Sequence, residues 1–159
     1  MKKVTKLTSV NMKIDEIDRK ILNVMLENSR LSFREIAKKV GVSVVTVLKR
    51  VKILEKEKVI KNYTVELDYE KLGYDITALT QIRVAKGQSQ SVGKVIGMDD
   101  HVKAMYNVTG SFDDIIVGKF KNRKSMDAFI KKIQALENVE RTETLLVLNT
   151  IKEGKIRVE

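Results

Sequence analysis

Two hydrophobic periods run along this 159-residue chain, and the change between them constrains the fold more than any other feature. In the first part, apolar residues recur at helical spacing. From Ile76 onward they alternate with polar ones, as in a strand with one buried face. A segment written in one period cannot settle into the other structure, so the chain must carry a helical part followed by a sheet.

The helical part begins at Ile14, with Ile14, Ile17, Ile21, Leu22 and Met25 on one face; Asn28-Ser29-Arg30 ends it. Ser32 precedes Glu35 by three positions, the spacing of a reciprocal N-terminal cap, and a short helix through Ile36, Ala37 and Val40 follows. Gly41 sits where a helix ends in left-handed backbone. Ser43 caps the next helix, which turns Val47, Val51 and Leu54 inward. Val59-Ile60 and Tyr63-Thr64-Val65 read as short strand.

The second part opens with a strand whose Ile76, Ala78, Thr80, Ile82 and Val84 share a face. A short helix from Gln88 to Ile96 follows, and then a strand with Val102, Ala104, Tyr106 and Val108 on one side. After the loop Thr109–Asp114 come an apolar strand, Ile115–Phe120, a helix capped by Asn122, and a last strand from Val139 to Ile151. The order β-α-β-β-α-β is that of the ferredoxin-like split unit. The predicted class is α+β, with a helical domain over 13–62 and a ferredoxin-like domain over 76–151. Around them lie a flexible basic tail over 1–12, a linker strand and hinge over 63–75, and a tail over 152–159.

Composition removes several function classes. There is no cysteine and only one histidine, His101, which excludes disulfides, thiol nucleophiles and multi-histidine metal sites. No apolar run is long enough to span a bilayer. The segment MKKVTKLTSVNMK is basic but lacks the apolar core of a secretory signal, so the expected location is cytoplasmic. The Lys/Ile/Val/Glu-heavy, proline-free composition points to a thermophile. Net charge is +10, and residues 1–74 hold most of the excess, with 17 basic against 10 acidic residues. That favours a polyanionic partner.

Two short helices meeting at Gly41 form a helix-turn-helix, with Ala37 small enough for a close crossing. From Ser43 to Lys61 six basic residues face only Glu55 and Glu57. The expected DNA-facing residues are Ser43, Val44, Val45, Thr46, Lys49 and Arg50, because a groove-reading helix uses its N-terminal end. Valine and threonine methyls can pack on thymine methyls, and Thr46 and Lys49 can reach base edges or phosphates.

A four-stranded sheet covered by helices on one side leaves the other side bare. Its expected residues, Leu79, Met105 and the Leu146/Leu148 row, are too apolar for water, so pairing of sheets in a dimer is predicted. In the middle loop, Gly110 permits close backbone approach and Asp113 can take an ammonium group, a pair suited to a zwitterionic amino acid. The same two residues equally serve a bend and a loop-stabilising hydrogen bond.

Six stretches, IDEIDRKIL, LSFREIAKKVGVS, VLKRVKILEKEKVIKNYTVELD, LGY, VTGSFDD and VERTETLLVL, resemble the Lrp/AsnC family, the leucine-responsive or feast/famine regulators, from residue 14 to about 151. The resemblance implies a winged helix-turn-helix DNA-binding domain over 13–62 followed by an effector-binding and oligomerisation domain of ferredoxin-like fold over 76–151. It implies dimers that assemble further, commonly into octamers, and an amino-acid effector held near the middle hairpin loop. By position it implies an effector site of Thr109, Gly110, Ser111 and Asp113, joined by Thr142 and Thr144. It implies an archaeal or thermophilic source, and no cofactor. Three residues depart from the pattern. Lys58 stands where glycine is usual, Ser111 replaces an acid, and Asp114 replaces an apolar residue, an extra acid that would favour a basic effector.

Other readings differ in class. A low-specificity protein that wraps DNA without an effector would use the same charge. An RNA-reading sheet needs a Lys/Arg-Gly-aromatic cluster, which the chain lacks. Asp99, Asp100 and His101 could join Asp113 and Asp114 in a metal site only across a strand of roughly 20 Å. No enzyme is predicted, and no catalytic or metal residue is assigned.

Overall fold

The structure is a computed structural model and describes residues 13–85 and 87–159. The basic tail expected over 1–12 lies outside these residues. The chain forms two compact units: residues up to Val65 together with Glu153–Glu159, and Glu66–Lys152.

The first unit holds α1 (Glu16–Glu27), α2 (Phe33–Val40) and α3 (Val44–Lys56). Each has the cap its sequence dictates. Asp15 and Asp18 cap α1 reciprocally, Ser32 and Glu35 do so for α2, and Ser43 accepts the Thr46 N–H at the start of α3. These bonds satisfy amides that a helix start otherwise leaves without partners. Gly41 ends α2 at φ +79°, in the left-handed region that favours glycine. Ile21, Met25, Ile36, Ala37, Val47 and Val51 make the core.

Val59 and Ile60 depart from the strand expectation. Their N–H groups both donate to the Leu54 carbonyl, at 2.9 and 3.1 Å, closing the end of α3. Amides spent on a helix end cannot also join a ladder. Lys58 adopts φ 57°, so the lysine occupies the left-handed turn usually left to glycine.

The second unit is an antiparallel sheet in the order β2-β3-β1-β4. Its strands are β1 (Ile76–Val84), β2 (Val102–Asn107), β3 (Asp114–Phe120) and β4 (Val139–Leu146). Helices α4 (Ser89–Ile96) and α5 (Arg123–Gln134) bury Val92, Ile96, Met126, Phe129 and Ile133 against Ala78, Ile82, Ile116 and Phe120 on one face.

Two strands differ from the expected pattern. A register shift between Val102 and Ala104 breaks the alternation of β2. Met105 therefore pairs with buried Ile116 and joins the core, while Ala104 and Tyr106 take the other face. β4 stops at Leu146, because its partner β1 begins at Ile76 and only the Val147 N–H still finds a carbonyl there, that of Thr77. Leu145, rather than Leu146, lies opposite Leu79 on the open face, and Leu148 belongs to no strand. The open face thus presents the row Ala104, Val117, Leu79 and Leu145.

Candidate nucleic-acid interface and effector loop

Helix α3 has two opposite stripes. Val47, Val51 and Leu54 are buried, while Val45, Lys49, Lys52 and Lys56, spaced i, i+4, i+7 and i+11, face water on the far side. Val45 is 60% exposed, unusual for valine in a first turn and fitting for a residue that meets another surface. Val44 is exposed beside it. Ser43 and Thr46 engage each other: Ser43 Oγ accepts the Thr46 N–H at 3.0 Å and lies 2.8 Å from Thr46 Oγ1. Their hydroxyls hold the helix start and keep only part of their bonding capacity for a partner.

Arg50 sits apart from this stripe. Its Nη1 lies 2.6 Å from Asp15 and 3.3 Å from Asp18, and Asp18 is fully buried. The Asp18 N–H, aided by the Arg50 guanidinium, holds the Asp15 carboxyl below the usual carboxylate range, against a smaller opposing push from burial. Arg50 therefore ties α3 to the start of α1. Lys52 and Lys56, beyond the six expected DNA-facing residues, continue the exposed stripe at i+7 and i+11 from Val45.

In the second unit the β2–β3 loop is anchored at its root and open at its tip. The Val108 N–H donates to the Asp113 carbonyl at 2.8 Å, and the Asp113 N–H to the Ile82 carbonyl at 2.9 Å. Asp113 Oδ2 accepts the Val84 N–H at 3.0 Å, where the β1–β4 register shifts between Arg83 and Val84. Thr109, Gly110 and Ser111 are exposed at the tip. Gly110 has φ 128°, a conformation that L side chains rarely adopt.

Thr142 lies opposite Ile82 on β4, so Asp113 and Thr142 both adjoin Ile82. Thr142 Oγ1 accepts from Gln134 Nε2 at 2.9 Å, and Thr144 Oγ1 lies 3.3 Å from Thr80 Oγ1. Asp114 is placed differently from the sequence expectation. It is 3% exposed and accepts from Ser89 Oγ at 2.8 Å and Asn107 Nδ2 at 3.2 Å. Both Asp114 oxygens are thus engaged inside the unit, by Ser89 and Asn107.

Among the described residues, no three His, Asp or Glu side chains gather as a metal site. His101 Nδ1 lies 2.8 Å from Asp99, and its ring stacks on Phe120. Among these residues no helix is long and apolar enough to cross a membrane.

A capped helix-turn-helix that buries one stripe of its second helix and exposes valines and lysines on the opposite one defines a DNA-binding class, here joined to a ferredoxin-like sheet. Residues 14–61 match the family model of winged helix-turn-helix DNA-binding domains, and residues 77–156 that of the Lrp/AsnC ligand-binding domain. The chain belongs to the Lrp/AsnC family of transcriptional regulators. An uncharacterised HTH-type transcriptional regulator of Pyrococcus furiosus is 44% identical over 89% of this chain and 96% of its own length. The HTH-type transcriptional regulator FL11 of the same organism is 31% identical over 88% and 93%. Among solved structures, E. coli AsnC superposes with a TM-score of 0.85 at 28% identity, covering 92% of this chain and 99% of that one.

Proposed function

We propose that this transcriptional regulator binds double-stranded DNA sequence-specifically through α3 and is modulated by a small amino acid held near the β2–β3 loop. The stripe Val45, Lys49, Lys52 and Lys56, set opposite the buried stripe, carries this reading. Val44, Val45 and Thr46 supply methyl contacts to base edges, Ser43 fixes the helix start, and the lysines supply phosphate contacts. Arg50 orients the helix from behind.

The protein acts as a dimer closed through the open sheet face, in which Ala104, Val117, Leu79 and Leu145 find apolar partners. Assembly beyond the dimer, with the octamer the size implied by the family, would place several reading helices on one DNA. The effector site comprises the tip residues Thr109, Gly110 and Ser111, the root residue Asp113, and Thr142 and Thr144 on β4. The reading assigns no enzymatic step, and it places the protein in the cytoplasm, with DNA.

One observation favours a second reading, low-specificity architectural wrapping. The Ser43 and Thr46 hydroxyls are largely spent on each other, so polar base readout is thin. Anisotropy with a duplex from the gene's own upstream region and a scrambled one, at two salt concentrations, separates the two. A preference of about 10³-fold supports a specific regulator. Equal, steeply salt-dependent binding to both supports wrapping.

A further inference from the structure

Glu153–Glu159 folds with the first unit, although it follows directly from β4 of the second. Its attachment is specific. Asn23 Nδ2 donates to the Val158 carbonyl at 3.0 Å, and the Val158 N–H donates to Asn23 Oδ1 at 2.9 Å. Arg19 Nε donates to the Glu159 main-chain oxygen at 2.6 Å. Arg19 and Asn23 stand one turn apart on α1, on the side away from buried Ile21 and Met25. A carboxamide offers one donor and one acceptor in a plane, so Asn23 presents to Val158 what a neighbouring strand would present. The contact reads backbone, which makes it a clip for an extended segment.

We infer that Glu153–Glu159 is a coupling strap, running from the ligand-binding sheet through α1 to the DNA-reading helix. Each link is on the molecule. β4 carries Thr142 and Thr144 and ends at Leu146, and six residues, 147–152, lead from it to the strap. Fully extended, those six span at most about 21 Å, so the connection between β4 and the strap is short. The strap holds α1 at Arg19 and Asn23. The start of α1 holds α3 through Asp15, Asp18 and Arg50. The chain thus passes between the units twice, at Val65–Glu66 and at Lys152–Glu153. A single connection leaves a swivel; a second, anchored on the helix that braces the recognition helix, converts strand movement into a bias on that helix. The regulatory part of this inference rests on the proposed effector reading, while the strap itself does not.

Contiguity alone does not establish coupling, so the test measures it. In the unaltered full-length chain, amide exchange of Val158 is expected to be at least tenfold slower than in Asn23→Ala, with α1 exchange also accelerated in the variant. Equal exchange in the two proteins would overturn the strap. Protection lost on dilution to monomer would overturn its formation within one chain. The second arm titrates each of the twenty L-amino acids into the complex with the upstream duplex. For any that shifts DNA affinity in the unaltered protein, Asn23→Ala is expected to bind the same amino acid within about twofold by calorimetry, with the shift in DNA affinity reduced at least fivefold. An undiminished shift would overturn the coupling role. If no amino acid shifts the unaltered protein, the effector reading and the coupling built on it both fall. The exchange result then decides whether the strap stands as a brace of α1.

Discussion

Arg50 Nη1 lies 2.6 Å from Asp15 Oδ2, so a basic residue of the recognition helix is committed to the N-terminal cap of another helix. Asp18 in the same cap is fully buried, and Arg50 is the basic partner it meets, at 3.3 Å. Both contacts are made by Nη1, so one guanidinium nitrogen bridges the two carboxylates.

Replacing Arg50 and Lys49 should therefore have opposite signatures. Arg50→Ala leaves the buried Asp18 carboxylate without its charged partner and should cost about 2 kcal/mol of stability, read as a lower urea midpoint. Lys49→Ala should leave the midpoint unchanged and lower DNA affinity on every sequence, reducing the salt slope by about 1. An Arg50→Ala protein with native stability and lost DNA binding would return Arg50 to the interface.

The two left-handed residues of the first unit should respond in opposite directions. Gly41→Ala meets no neighbouring atom but forces a side chain onto φ +79°, and should cost about 1 kcal/mol. Lys58→Gly relieves the same strain at φ 57° and should stabilise by about 0.5 kcal/mol after the added chain entropy of glycine. Denaturant titration of the two variants reads both signs.

Asp114→Ala removes the acceptor for Ser89 and Asn107 inside the second unit. It should cost about 1 kcal/mol there, through the Ser89 hydroxyl left without its acceptor, since Asn107 Nδ2 still reaches Ser89 Oγ and the Asp113 carbonyl. It should leave the relative affinity for basic and apolar amino acids unaltered in calorimetry. A selective loss of lysine or arginine binding would place the carboxylate in the ligand site after all.

Acid should weaken the second unit in a defined window. Burial pushes the Asp99 carboxyl up, but hydrogen bonds from Lys132 and His101 outweigh it and hold the pKa at about 2. A carboxyl depressed in the folded state contributes stability that is present above its unfolded pKa of about 4 and is lost as the pH falls towards 2. Thermal melts between pH 5 and 2 should show this fall, and Lys132→Met should flatten it.

Leu79→Lys puts a charge at the middle of the apolar row on the open sheet face. Light scattering should then report monomer, against the proposed dimer or a multiple of it for the unaltered protein, with the helix content unchanged by circular dichroism. An unchanged mass would remove this face from the interface.

Much of this molecule was legible beforehand because its signals are local. Ser32-x-x-Glu35, Gly41 and Ser43 announce their helix ends, and the structure has all three as caps. What escaped depends on partners remote in sequence. The alternation across Val102–Asn107 is broken by a bulge that pairing with β3 reveals, and so Met105 changes face. Val59 and Ile60 have strand-like side chains, yet Leu54 claims their amides. Arg50 carries the same charge as Lys49, and its ion pairs with Asp15 and Asp18, more than thirty positions away, are invisible to local pattern. In the effector loop, sequence left Asp113 open between ligand contact and self-bonding. The Val84 amide supplies the second, at a register shift that alternation cannot display.

The rooted, open-tipped β2–β3 loop sets where the sequence of this domain can vary. Asp113 seals an irregularity between β1 and β4, so altering it disturbs the sheet itself. Thr109 and Ser111 are exposed at the tip, with no sheet amide depending on their side chains. Side chains at the tip can therefore change while the framework stays constant, so that what the loop meets is free to vary without refolding the sheet that carries it.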